Sequence, residues 1–183
     1  MEARALRAYF YLELAKRYGD VPLIPTVLNE NEANQLPRTP FNEVIEFIVQ
    51  ECDEVAPHLP KNYGGERLGE TGRMTQGATM AIKARALLYA ASPLHNPNDD
   101  VSAWQEAAEA AYAIIDSAEY SLNPDYSSAF NNYNQNNSEL IFERRQSASN
   151  NFERINFPVG YVGGTSGNCP TQNLVDAYEM VDT

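Results

Sequence analysis

An all-α fold of stacked, tetratricopeptide-like helical pairs, with long irregular loops and at most minor β structure, is predicted by three features of the 183-residue chain. Four segments place apolar residues at spacings of three and four, and cap signals bracket them. One of the four, inside the stretch Gly72 to Pro97, is so rich in alanine that it has almost no polar face. A helix apolar nearly all round sits between other helices.

The first helix is expected from about Glu2 to Tyr18, with Leu6, Tyr9, Phe10, Leu14 and Tyr18 as its apolar stripe and Gly19 as its C-cap. In "DVPLIP", Pro22 and Pro25 bias the residues before them away from helix, so the chain leaves as an extended segment. Thr39 then reads as an N-cap hydroxyl, Pro40 as the first helical residue and Glu43 as the acid favoured near the positive end of the dipole. Phe41, Val44, Ile45, Ile48, Cys52 and Val55 trace one stripe of this second helix, which Pro57 and Pro60 end. The alanine-rich third helix takes Thr75 as N-cap and stops before Pro93. A capping box of Ser102 and Gln105 opens the fourth, whose apolar face is expected to hold Trp104, Ala107, Ala108, Ala111, Ile114, Ile115 and Ala118. Turns rich in Asn and Tyr follow, then "ELIFER" at 139–144 as a strand candidate, then a long Gly/Ser/Asn loop from Gln146 to Asn168. Thr171 caps a last helix containing Leu174, Val175 and Tyr178.

Four helices in two antiparallel pairs, with small-residue patterning near the 34-residue tetratricopeptide spacing, suggest degenerate repeats that bury their faces only by stacking. The expected organisation is a helical-repeat body over about 1–122, a loop-rich segment over about 123–170 and the start of a further helix at 171–183. The chain starts already inside a helical pattern, which reads as an internal fragment.

Composition removes several classes of function. The formal net charge of −12 disfavours nucleic acid and anionic lipid, both of which are held by clustered Lys and Arg. No run has the roughly 18 apolar residues of a membrane-spanning helix. Cys52 and Cys169 stand far apart with no Cys/His cluster, so zinc and dithiol readings fail, and Cys52, on an apolar stripe, is read as packing. His58 and His95 each lack a second ligand at metal spacing. No cofactor is expected.

Catalytic signatures are equally thin. Asp99 and Asp100 are the nearest pair of acids for glycoside hydrolysis, but adjacent acids before "VSAW" read more simply as an approach to a helix N-terminus. The turn "GTSGN" offers backbone amides to an anion without a following Lys or Thr, so Gly163 and Gly164 are assigned to the backbone. Aromatic residues in polar loops are the more suggestive feature, because sugars lay their C–H faces on Tyr or Trp rings while Asn bonds the hydroxyls. Tyr126, Tyr133 and Tyr161 sit in such loops; the competing role is to anchor the loops to the helical body.

The segments "RALRAYFYLELAKRYGDVPLI", "GRMTQGATMAIKARALLYAASPLHN", "WQEAAEAAYAIID" with the later "SELIFE", and "PTQNLVDAYEMVD" resemble, in order, the SusD/RagB family. The resemblance spans nearly all of the chain. It implies one partial SusD-like domain over 1–183, built of tetratricopeptide-like pairs. It further implies a lipid-anchored, outward-facing protein of the bacterial outer membrane, which is not an enzyme and hands an oligosaccharide or peptide to a SusC-like TonB-dependent transporter. The family's sugar-stacking aromatics lie mostly outside these motifs, so the candidate ligand residues Tyr133, Tyr161 and Asn168 rest on loop position and chemistry alone. A helical-repeat protein–protein adaptor and an α-helical glycan hydrolase are the alternatives.

Overall fold

The computed structural model describes residues 1–64, 70–127, 137–143 and 149–178, and the chain divides into two compact units, residues 1–144 and 145–183. The first unit holds α1 (Glu2–Tyr18), α2 (Glu30–Ala33), α3 (Phe41–Val55), α4 (Gln76–Ala91) and α5 (Val101–Asp116). α1 packs on α3, α3 on α4 and α4 on α5, so two helical pairs stack through their middle members. The pairs are antiparallel. Arg4 near the start of α1 reaches Glu51 near the end of α3, while Asp20, just past α1, accepts from the Phe41 amide that opens α3 at 2.8 Å. Likewise, Lys61 ahead of α4 meets Glu119 beyond α5 at 2.6 Å. Among the described residues there is no strand, only isolated bridges at Val21–Thr39 and Val159–Tyr161.

α3 behaves as its sequence predicts: Phe41, Val44, Ile45, Ile48, Cys52 and Val55 are all buried and form the spine of the core. Its start differs. Pro40 takes the N-cap position, and Thr39 is drawn into the bridge with Val21, its hydroxyl accepting from the Leu23 amide at 3.2 Å. The capping duty falls to Asp20, which is remote in sequence and so invisible to a local rule.

α1 reverses the expected stripe. Its buried face is Ala5, Ala8, Tyr11, Leu12 and Ala15, whereas Leu6, Phe10, Leu14 and Tyr18 are exposed, Phe10 at 59%. Helices packed ~8–10 Å apart select by size as well as polarity. Alanine at the contact lets the α1 and α3 backbones close on each other, and the large side chains are displaced to the far side. Tyr11 is accommodated at the edge, where its ring meets Phe47 edge-on at 5.6 Å and its hydroxyl accepts from the Ile24 amide at 2.7 Å.

α4 is the middle of the stack, as its alanines suggest. Ala78, Thr79, Ile82, Ala84, Ala86 and Ala91 are buried, Thr75 caps it by accepting from the Ala78 amide at 3.1 Å, and the helix ends before Pro93. It nonetheless has a wet strip, Arg85, Leu88 and Tyr89, at three- and four-residue spacing.

α5 departs furthest. Only Ala107 is buried; the helix leans on α4 along Ala103, Ala107, Ala110 and Ile114, and leaves Ala108, Ala111, Ile115 and the following Ala118 exposed. Trp104, assigned to the core, is 37% exposed and donates its indole N–H to the Asp99 carboxylate at 3.1 Å. The Ser102–Gln105 box does not form, because Asp100 is the N-cap: its carboxylate accepts from the Ser102 amide at 2.9 Å and hydroxyl at 2.8 Å. An ionised acid outcompetes a hydroxyl for an orphan amide at the positive end of the dipole.

Among the described residues, α2, a single 3-10 turn at Ala56–His58 and a short helix in the second unit went unforeseen, and the foreseen strand is absent. α2 is nucleated by a capping box of Asn29 and Glu32. In the second unit, α6 (Asn151–Asn156) interrupts the predicted loop, and α7 (Gln172–Asp176) carries the expected Thr171 cap, with Tyr178 beyond its end. The described part of the strand candidate, residues 139–143, is a turn that places Ile141 against the core and Phe142 edge-on to Tyr9 at 6.1 Å. Ser121 donates to the Ser138 carbonyl at 3.1 Å and the Asn123 amide to the Glu139 carboxylate at 3.0 Å, but among the described residues these bonds do not extend into a ladder.

One polar cluster is built into the α1–α3 contact. Glu51 is 5% exposed, yet it is fully engaged: Arg4 Nε lies 3.1 and 3.2 Å from its two oxygens, and Arg7 Nη2 lies 2.6 Å from Oε2. Burial alone would push its carboxyl up; the hydrogen bonds from Arg4 and Arg7 outweigh that and hold it below the usual carboxylate value.

Candidate functional site

Of the three candidate ligand residues, Tyr133 lies outside the described residues, and Tyr161 and Asn168 belong to the second unit. The chain there folds back on α6. Thr165 donates from its amide to the Arg154 carbonyl at 2.8 Å, Ser166 to that of Phe157 at 3.0 Å, and Asn168 to that of Ile155 at 3.1 Å. The returning chain pins the turn 158–164 between these bonds. Tyr161 sits at its tip, its amide donating to the Pro158 carbonyl at 3.1 Å, while Gly160 and Gly163 adopt positive φ of 105° and 83° on either side of Tyr161–Val162. A side chain at those two positions would be strained. The glycines flanking Tyr161 therefore serve the backbone, as the sequence suggests for Gly163, and also hold the ring out.

Tyr161 is 66% exposed, with its ring 5.3 Å from that of Phe157 and inclined to it by 49°. The two rings make an angled aromatic surface suited to apolar faces of a polar ligand. Asn168 is exposed as well, but its side-chain amide donates to the Asn156 carbonyl oxygen at 3.3 Å rather than to the Tyr161 hydroxyl. Sequence reasoning missed Phe157, whose only signal was its place before the Pro–Val–Gly turn. Tyr126, in the first unit, is exposed.

A second concavity lies in the first unit, a groove of about 360 Å³ between α3, α4, α5 and the 92–100 connection. His95 forms part of its wall. The imidazole stacks on Phe41 with centroids 3.5 Å apart and planes 7° from parallel, and burial pushes its pKa down against the opposing pull of Asp20. Asp100 stands nearby as the α5 cap and Asp99 as the partner of the Trp104 indole, and the hydrogen bonds from Ser102 hold the Asp100 carboxyl below its usual value. Both acids are thus occupied structurally. Among the described residues, no group of three His, Cys, Asp or Glu side chains is placed to hold a metal ion, and no helix is long and apolar enough to cross a membrane.

Comparison with known proteins places this architecture. No family model matches the chain. Two SusD-like proteins of Formosa agariphila are similar to it, at 26% identity over 141 residues, or 77% of the chain, and at 28% over 133 residues, or 70%. The chain spans about a quarter of each of them, 24% and 23% of their lengths. Among solved structures, a SusD-like protein from Bacteroides fragilis superposes with a TM-score of 0.79 and 30% identity, covering 98% of this chain and 35% of that one. A SusD-like carbohydrate-binding protein of the same species gives 0.64 and 29%, covering 77% and 25% of the two chains. A laminarin-binding SusD-like protein gives 0.63 and 26%, covering 77% and 29%. The molecule is thus an all-α protein of stacked antiparallel helix pairs. In sequence and in fold it is similar to SusD-like proteins, as its motifs imply.

Proposed function

We propose that this chain belongs to a non-catalytic protein that captures an oligosaccharide at the outer face of a bacterial outer membrane and passes it to a SusC-like TonB-dependent transporter. The observation that carries this reading is the likeness to a SusD-like protein over 98% of the chain, with carbohydrate-binding and laminarin-binding proteins among the other similar structures. In the whole protein, residues 1–183 form part of a SusD-like domain, and a lipid on an upstream cysteine tethers it to the membrane. The helical body of the first unit is scaffold. Its stacked pairs are closely packed, and its conspicuous acids are engaged within the body, Asp100 in capping α5 and Asp99 in accepting from the Trp104 indole.

Ligand contact falls to the loops. Tyr161, beside Phe157, stacks on a sugar ring and Asn168 supplies an amide to its hydroxyls, while Tyr133 is proposed as a stacking residue of its own unit. Capture is by shape, stacking and hydrogen bonds, with no bond broken. The test is a glycan array on the full-length protein, followed by calorimetric titration of the glycans retained. Saturable binding without release of reducing ends is the expected result. Reducing-sugar release that survives purification, or no retention of any glycan or peptide, would refute the reading.

A further inference from the structure

The groove between α3, α4 and α5 has a chemistry of its own. Its floor is aliphatic, made by Ile45, Leu87 and Ala90, and its rim carries the carboxylates of Glu46, Glu106 and Asp100. Among the described residues, no Lys or Arg lines it, and no Tyr, Trp or Phe does either. Elsewhere in the first unit, the acids near the helix contacts are matched with bases: Glu51 with Arg4 and Arg7, Glu13 with Lys16 and Arg17, Asp53 with Lys83, and Glu119 with Lys61. Glu46 and Glu106 make no ion pair or side-chain hydrogen bond with any described residue. Asp100 has one oxygen engaged by Ser102.

An aliphatic floor below unmatched carboxylates suits one kind of guest, a cation on an apolar stem, because the stem covers the floor while the charged head stays at the wetter rim. A neutral sugar is less suited, since the lining offers no aromatic ring beyond His95, whose imidazole is already stacked on Phe41. The volume of about 360 Å³ is at the lower end of ligand-sized pockets, which run from roughly 300 Å³ upwards. We propose that this groove binds an alkyl guanidinium or alkyl ammonium group, its head between Glu46 and Glu106 and its stem on Ile45, Leu87 and Ala90. The same chemistry is carried by a free amine and by an Arg or Lys side chain of a peptide. The groove shares no lining residue with the Tyr161 turn, and the proposal does not depend on the glycan reading.

The experiment is calorimetric titration of the full-length protein with n-butylguanidinium and with the uncharged n-butylurea, in low salt. A second arm compares the tripeptide Gly-Arg-Gly with Gly-citrulline-Gly. Saturable binding of the cation of either pair, with its neutral twin at least tenfold weaker, is expected. Tighter binding of the tripeptide assigns the guest to a peptide, and tighter binding of n-butylguanidinium assigns it to a free alkyl cation. The Glu46→Gln/Glu106→Gln variant loses about tenfold in affinity, the sum of two exposed ion pairs. Both side chains are exposed, so this variant keeps the fold, and glycan titration in the same sample reports separately on the loop site. Binding of neutral and charged ligands alike, no saturable binding of either cation, or an unchanged affinity in the double variant would each overturn the proposal.

Discussion

Replacing Glu51 by Gln keeps the shape of the side chain and removes its charge from between Arg4 and Arg7. Taking one partner from a buried ion pair costs roughly 3–5 kcal/mol, because the other charge is left desolvated and unpaired. Here the two arginine side chains are 34% and 32% exposed, and Arg4 keeps a second carboxylate in Glu54. Water and Glu54 recover part of the loss, and the substituted amide retains one accepting oxygen, so the net effect falls to about 2–3 kcal/mol. The control is Glu54→Gln, whose pair with Arg4 is solvent-screened and should change stability far less. Hydrogen exchange followed by mass spectrometry on peptides from α1 and α3 reads the change locally within the full-length protein. The pH dependence gives a second reading. Because the folded carboxyl lies below its ordinary value, its stabilisation is complete above that value and is lost as the pH falls through the depressed one. The gap between wild type and variant in urea unfolding should therefore be full at pH 7 and close progressively as the pH drops below the ordinary carboxylate range. Protection of α1 that changes by less than about 0.5 kcal/mol at neutral pH, or a gap that persists in acid, would refute the argument.

Further outcomes follow from the packing and the loop. Ala8→Leu inserts a large side chain where α1 meets α3 and should cost about 1–3 kcal/mol, measured by urea unfolding, whereas Phe10→Ala on the exposed side should cost far less. Tyr161→Ala should leave the far-UV spectrum unchanged and weaken glycan binding by about 0.5–1.5 kcal/mol in calorimetry. Thr75→Ala removes the α4 cap and should destabilise by about 1 kcal/mol in the same unfolding assay. Burial pushes the Cys52 thiol up to about 12, so iodoacetamide at pH 8 should label the exposed Cys169 and reach Cys52 only after unfolding.

The parts of the fold that were legible in sequence are those in which size and polarity point the same way. In α3 the large apolar residues are also the buried ones, so Val44, Ile48, Cys52 and Val55 could be read directly. In α1 and α5 the two criteria part company. Close approach favours alanine, and Leu6, Phe10, Leu14, Trp104 and Ile115 are left on the outside although each is larger than the alanines buried on the same helices. Caps were legible where the acceptor is local and unrivalled, as at Thr75 and Thr171, and illegible where a distant or stronger acceptor wins, as Asp20 does for Phe41 and Asp100 for Ser102. The loop site was legible only as chemistry. Tyr161 could be picked out by composition, but its neighbour Phe157 depended on a chain reversal closed by Thr165 and Ser166. The groove was illegible altogether, since its lining is gathered from three helices and a connection.

The fastening of α1 to α3 bears on how this protein keeps a single arrangement. The alanines that α1 turns toward α3 are shallow and give that helix few knobs of its own to fix its position along the axis. Arg4 and Arg7 on Glu51 at one end, and Asp20 on Phe41 at the other, permit only one alignment along the axis. The smooth middle lets the helices nest closely, and the two polar latches set their registry.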